Sequence, residues 1–321
     1  NYITFSSIPS LLPSSLQIIK TCESLSKYKN DVTLIKPCTG FKRISIRRYY
    51  GLKFKINIKE FKAFKKFPRG LSFYLYSLSC LFFILKKKDS ITITRNYFVC
   101  YLLTFFRQKT ILEIHHDTTI EGRVTKFILK YSNFFKKKNL INIIAITNSV
   151  KILFINRYKI NPDKITVLPS GSSIRVNQRP KFPNNTRMKI GYFGSISPSK
   201  GINTLIKLSK IDPDNDYFIY GGIKKEIFRL RNVNINKNLF LNESIPYAKL
   251  SNIMLKMDIL TLPYTKKVKS AGEVDDISNY TSPLKLFDYM AVGKMIISSD
   301  LKVLRDKINK KNAFFIQNNE N

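Results

Sequence analysis

Ser282 to Asp300 reads SPLKLFDYMAVGKMIISSD, and the order of residue types in it sets both the fold class and the kind of ligand to look for. Ser282 predicts an N-cap, and Pro283 the first helical residue, where a missing N–H costs nothing. Leu284, Phe287 and Met290 recur at helical spacing until Gly293, which is free to take the left-handed conformation that ends a helix. Met295 to Ser298 follows at once as a strand. The start of such a helix gathers unpaired N–H groups at a positive dipole end and holds phosphate without a dedicated side chain. Lys285 adds a mobile cation in the first turn, and Asp288, one turn on, offers a carboxylate to ribose hydroxyls. By pattern alone the same residues also describe an ordinary capped amphipathic helix in an α/β domain.

Upstream, the second half of the chain repeats this alternation. Met188 to Phe193 predicts a strand running into Gly194, then a loop to Gly201 with Lys200 at its mouth, then a helix carrying Ile202, Leu205, Ile206 and Leu208. Strands follow at 217–220, 239–241, 259–262 and 313–316, with helices at 224–230 and 247–255 between them. The loop Pro263 to Thr281, with Gly272, Glu273, Asp275 and Asp276, is long enough to expect a function.

The first half reads as strands at 2–5, 31–35, 91–94, 110–114, 141–146 and 165–168, with helices at 15–28, 97–106, 122–137 and 149–157. Strand–helix–strand units with short connections imply parallel sheets whose ligands collect at the carboxyl ends of the strands. His115 and His116 stand at such an end, as a structural pair or a site; no third ligand lies at metal spacing. The opening SSIPSLLPSSLQIIKTCESL has no Gly-rich phosphate turn, which argues against a nicotinamide or flavin cofactor. Ser172 to Arg187, polar with prolines, reads as an interdomain linker.

Twelve positions between Ser282 and Lys294 match the S-P-L-K-L-[FY]-[ED]-Y-M-A-x-G-K pattern of one branch of the family 4 glycosyltransferases, and the chain resembles that family along most of its length. The resemblance implies an α/β, GT-B architecture: two Rossmann-like domains facing a cleft, residues 1–178 on the acceptor side and 179–321 on the nucleotide-sugar side. It implies transfer of a sugar from a nucleotide-diphosphate donor to a glycan or lipid-linked acceptor, with retention, no metal and no cofactor beyond the donor. Relatives that epimerise or hydrolyse nucleotide sugars are the alternative. Lys200, Lys285 and the helix start Ser282–Pro283–Leu284 would hold the departing diphosphate, with Asp288 on the ribose. His115, in the family's Glu-x-His pattern as Glu113-Ile114-His115, would meet the sugar. Two positions depart from the family. Its Gly-Arg-x-x-x-x-Lys-Gly pattern keeps Gly194, Lys200 and Gly201 but has Ser195 for the arginine, and its sugar-contacting glutamate is Tyr280. Family members also continue beyond the strand that ends this chain, which implies a fragment.

The 321 residues suffice for two cores, and the four cysteines, without C-x-x-C spacing, indicate neither zinc nor a disulfide framework. A formal charge of +35 favours anionic surfaces, but the lysines are spread along the chain, which disfavours a nucleic-acid-binding protein. Asp212, Asp214 and Asp216 lack the Gly and Glu of a calcium loop and precede their strand, so they read as a solvated turn. Leu71 to Leu85 is too short to span a bilayer and reads as a buried helix. Before it, Phe61, Phe64 and Phe67 alternate with lysines in KEFKAFKKFPR as in helices lying in a membrane surface, so Lys59 to Lys88 is the expected contact with an anionic membrane. No signal peptide is legible, and the expected location is cytoplasmic, at the membrane face.

Overall fold

The computed structural model describes all residues except 39–42, 63–67, 88, 177–185, 234–235, 270–275 and 318–321. The chain forms two compact units, Asn1–Pro169 and Ser170–Asn321. The boundary expected at 178/179 and the middle of the linker fall outside the described residues, as do Phe64, Phe67, Lys88, Gly272, Glu273 and Asp275.

In the first unit the elements are β1 (Tyr2–Ile3), α1 (Pro13–Lys27), β2 (Thr33–Pro37), α2 (Arg43–Tyr50), β3 (Asn57–Phe61), α3 (Arg69–Leu85), β4 (Thr92–Thr94), α4 (Tyr97–Phe105), β5 (Thr110–Ile114), α5 (Arg123–Tyr131), β6 (Leu140–Ala145), α6 (Asn148–Tyr158) and β7 (Ile165–Val167). The sheet runs β3-β2-β1-β4-β5-β6-β7, parallel throughout. One core, with Ile18, Ile19, Cys22 and Leu34, lies under α1; another, with Tyr76, Cys80, Ile84 and Leu103, lies under α3 and α4.

The second unit contains β8 (Lys189–Phe193), α7 (Ile202–Ile211), β9 (Asp216–Tyr220), α8 (Lys224–Val233), β10 (Leu239–Asn242), α9 (Tyr247–Met254), β11 (Ile259–Leu262), α10 (Leu284–Val292), β12 (Met295–Ser299), α11 (Lys302–Arg305) and β13 (Phe314–Ile316). Its strand order is β10-β9-β8-β11-β12-β13, again parallel. Each sheet therefore reverses direction once, between β1 and β4 in the first unit and between β8 and β11 in the second. Such a reversal opens a crevice at the strands' carboxyl ends.

Four expectations need correction. Lys59 to Phe61 is not helical: β3 pairs residue for residue with β2, and Phe61 packs edge-on against Tyr76 and Phe83. Pairing with a neighbouring strand outweighed the local pattern. The helix expected over 122–137 ends at Tyr131, because Asn133 takes a left-handed conformation, which asparagine tolerates, and a short 3-10 turn, Phe134–Lys136, follows. Ser282 does not cap α10; Pro283 stays extended in that place, and no side chain caps the helix. The buried face of α10 is Leu286, Tyr289 and Val292, whereas Met290 is 40 % exposed. Two apolar stripes share helical spacing there, and only packing chooses between them.

Asp212, Asp214 and Asp216 bound a turn: Asp212 accepts from Asn215 and from the Tyr217 hydroxyl, and Asp216 pairs with Arg187.

Candidate active site

In the second unit the crevice is built by the loop after β8, the loop after β11 and the start of α10. Two close approaches demand glycine. Gly201, with φ +79°, sits so near Pro263 that a Cβ would strike the proline carbonyl, which ties the start of α7 to the end of β11. Gly194 lies against Lys285, and a Cβ there would collide with the ammonium. α10 is locked onto β8 by the Tyr289 hydroxyl, which accepts from the Phe193 amide at 2.9 Å within a core that includes Leu260, Leu262 and Leu286.

This anchoring delivers two cations to one place. Lys285 is held rather than mobile: Nζ donates to the Tyr192 hydroxyl at 2.8 Å and lies 4.1 Å and 5.2 Å from the Tyr192 and Tyr264 ring centres. Among the described residues it has no carboxylate partner. Burial, and then the neighbouring Lys200, pull its ammonium well below the ordinary lysine range. Lys200 ends a 3-10 turn, Pro198–Lys200; its Nζ donates to the Lys269 carbonyl at 2.8 Å and lies 5.2 Å from the Tyr264 ring centre. The Tyr264 ring thus lies against both lysines.

The other expected donor-side residues take varied positions. The Ser282 hydroxyl oxygen, just ahead of α10, is buried with no hydrogen-bond partner among the described residues. A buried hydroxyl in that state is the kind of group a ligand can satisfy. Ser195 is exposed, and its carbonyl accepts from Tyr192. Tyr280 is half-buried in the turn before α10, and Pro283 is buried. Asp288, 3 % exposed, accepts from the Ser172 hydroxyl at 2.6 Å and the Tyr247 hydroxyl at 2.8 Å. Burial, and then Asp288, push the Tyr247 hydroxyl up to about 12, so it stays a donor at neutral pH.

The first unit carries a separate cluster where β1, β4 and β5 end. Glu113, 6 % exposed, accepts from Arg95 at 3.0 Å, from the Tyr2 hydroxyl at 2.6 Å and from His115 Nε2 at 2.7 Å. Arg95 also donates to Tyr2 at 2.9 Å. Burial would raise the Glu113 carboxyl, but Arg95 and the bonds from His115 and Tyr2 outweigh it and hold the group ionised. Burial and Arg95 lower His115 to about 4. His115 is therefore neutral at pH 7, with its proton on Nε2 facing the carboxylate and its lone pair on Nδ1. His116 turns away, with Nδ1 against the Asp117 carbonyl at 3.0 Å.

The sequence by itself singled out both lysines and His115. It missed the groups that hold them, Tyr192, Tyr264, Ser172, Tyr247, Tyr2 and Arg95, which are scattered in sequence and share no spacing.

Residues 174–321 match the family described as Glycosyl transferases group 1. No curated protein matches the chain in sequence. Solved structures with similar folds include Anabaena HepE in complex with UDP and glucose, with 13% identity and TM-score 0.66, covering 98% of this chain and 84% of that one. A TarM mutant from S. aureus in complex with Fondaparinux, alpha-GlcNAc-glycerol and UDP has 11% identity and TM-score 0.68, covering 99% and 89%. WaaG, a glycosyltransferase involved in lipopolysaccharide biosynthesis, has 11% identity and TM-score 0.60, covering 98% and 85%. The chain thus has the GT-B fold of these structures along its length, and residues 174–321 match the glycosyl transferases group 1 family.

Proposed function

We propose that the protein moves a sugar from a nucleotide-diphosphate donor, held by the second unit, to a glycan or lipid-linked acceptor, with retention at the anomeric carbon and without a metal, as in family 4. The carrying observation is the convergence of Lys200 and Lys285 at the sheet reversal, with no carboxylate on Lys285 among the described residues. Two neighbouring cations repel each other, so a bound diphosphate relieves a cost the empty site bears. As the bond to the sugar breaks, charge grows on that diphosphate, and donors already in place stabilise it without reorganising.

Lys285 places a cation beside the Gly194 turn, where the family's arginine is Ser195. It reaches that turn from α10, a different element from the one that carries Ser195. The Ser282 hydroxyl and the start of α10 add donors beside it, and Asp288, oriented by Ser172 and Tyr247, takes the ribose. His115 Nδ1 serves as acceptor for a sugar hydroxyl. HepE and TarM were solved with UDP, which supports a uridine nucleotide as the first donor to try; WaaG's role supports an envelope glycan as acceptor. A cytoplasmic enzyme at the inner membrane face suits a lipid-linked acceptor, and no helix among the described residues is long and apolar enough to cross a membrane.

A thermal-shift screen against UDP, GDP and CMP sugars tests the reading, since ligand at 100 times Kd adds about 2.7 kcal/mol. Stabilisation by one nucleotide class, followed by an EDTA-resistant, anomerically retained product, is expected. No stabilisation by any of them overturns it, and release of free or epimerised sugar replaces transfer with the alternative chemistry.

A further inference from the structure

The helix α5, RVTKFILKY, turns its most apolar side outward. Val124, Phe127 and Tyr131 are 47 %, 65 % and 61 % exposed, while Thr125 and Leu129 face the core. At about 100° per residue these three side chains fall within an arc of about 60°, and Arg123, Lys126 and Lys130 fill the adjacent arc of about 60°. The rings of Phe127 and Tyr131 lie 4.9 Å apart and form one apolar ridge. Beside it opens a cavity of about 410 Å³ with Leu129, Phe134 and Phe135 among its walls and five cations, Lys126, Lys130, Lys136, Arg157 and Lys159, around it. Among the described residues no carboxylate lines the cavity. Arg157 pairs with Asp117, while the four lysines form no ion pair among the described residues.

We infer that the outer face of α5 and the basic cavity beside it dock on an anionic phospholipid surface. The arrangement matches what a bilayer interface asks of a helix: an aromatic and aliphatic ridge for the acyl boundary, and lysines on the neighbouring arc for phosphates. The cavity gives those phosphates a place that an evenly charged surface lacks. A second copy of the chain is a poor occupant, because each copy carries +35. This deepens the membrane reading above and moves it from Lys59–Lys88 to α5.

The test is flotation of the whole chain with vesicles of phosphatidylcholine alone and of equal parts phosphatidylcholine and phosphatidylglycerol. Recovery only with the anionic vesicles is expected. Lys126→Glu with Lys130→Glu should lower partitioning at least about a hundredfold, from about fivefold per charge over four charge units. Phe127→Ser with Tyr131→Ser should weaken it at least about tenfold, and Phe228→Ser, an equally exposed ring on α8, should leave it unchanged. Equal recovery with neutral vesicles, recovery untouched by the α5 variants, or an α5-dependent dimer in sedimentation each overturns the inference. UDP titration of the same variants keeps the readings apart: vesicle binding lost with UDP affinity kept supports the docking face, and vesicle binding by a chain that never binds a nucleotide fails only the transfer reading.

Discussion

The two units share a fold topology and place a charged cluster at the same topological point, yet the clusters are opposites. At the first unit's sheet reversal, Arg95 meets Glu113, and Tyr2 and His115 complete the carboxylate's bonds, so the protein supplies both signs of charge. In the second unit, Lys285 meets a phenol, aromatic rings and Lys200, with no carboxylate partner among the described residues. A buried pair that is internally matched orients its neighbours and resists removal; a buried cation without an anion is a debt that a ligand settles. The first arrangement therefore sets the tautomer of His115, and the second leaves two lysines side by side against one ring.

The sharpest way to break the contrast is Glu113→Ala. It strands Arg95 with no carboxylate, and loss of one partner of a buried pair costs about 3 to 5 kcal/mol, read as the free energy of urea unfolding. A loss below about 1 kcal/mol would mean that solvent already screens the cluster. Next is Lys200→Ala, which under the proposed function removes a donor aimed at the leaving diphosphate. Turnover should fall by a factor of about 100 to 1,000, about 2.7 to 4 kcal/mol, with the melting temperature kept. Lys207→Ala, on the exposed side of α7, is the control. Retention of more than about a tenth of the activity, a loss below about 1.4 kcal/mol, withdraws the phosphate role.

His115 sharpens the comparison through pH. Its folded value of about 4 lies below the ordinary 6.5, so the unfolded chain takes up a proton first as pH falls. The stability is complete above pH 6.5 and is lost between 6.5 and 4, up to about 3 kcal/mol. His115→Gln should lose less stability than wild type between pH 7 and 5 in urea titrations; parallel curves would show that His115 is freely solvated. The smallest effect expected is on stability in Lys285→Met. Removing a half-buried cation with no carboxylate partner among the described residues should leave the melting temperature unchanged or raise it, while UDP affinity falls by about 1.5 to 3 kcal/mol, the worth of a charged hydrogen bond. A destabilised Lys285→Met variant with normal UDP affinity would make Lys285 a structural residue like Arg95.

Much of the architecture was legible in the amino-acid order. Strand and helix alternation, the Gly194 and Gly201 loop, Gly293 at the end of α10 and the crevice at the strands' carboxyl ends all rest on local patterns: apolar period, glycine conformation and strand–helix connection. Lys200 and Lys285 were visible because each lies within a few residues of a helix start. Long-range pairing was not legible. The strand character of 57–61 comes from β2, and the buried stripe of α10 from β8. The partners that decide the chemistry lie far apart in the chain: Tyr192 is 93 residues from Lys285, Ser172 is 116 from Asp288, and Tyr2 is 111 from Glu113. No window of sequence spans such distances. Whether a charge is matched inside the protein or left for a ligand is settled only when the sheet brings those residues together in a medium too poor in water to screen them.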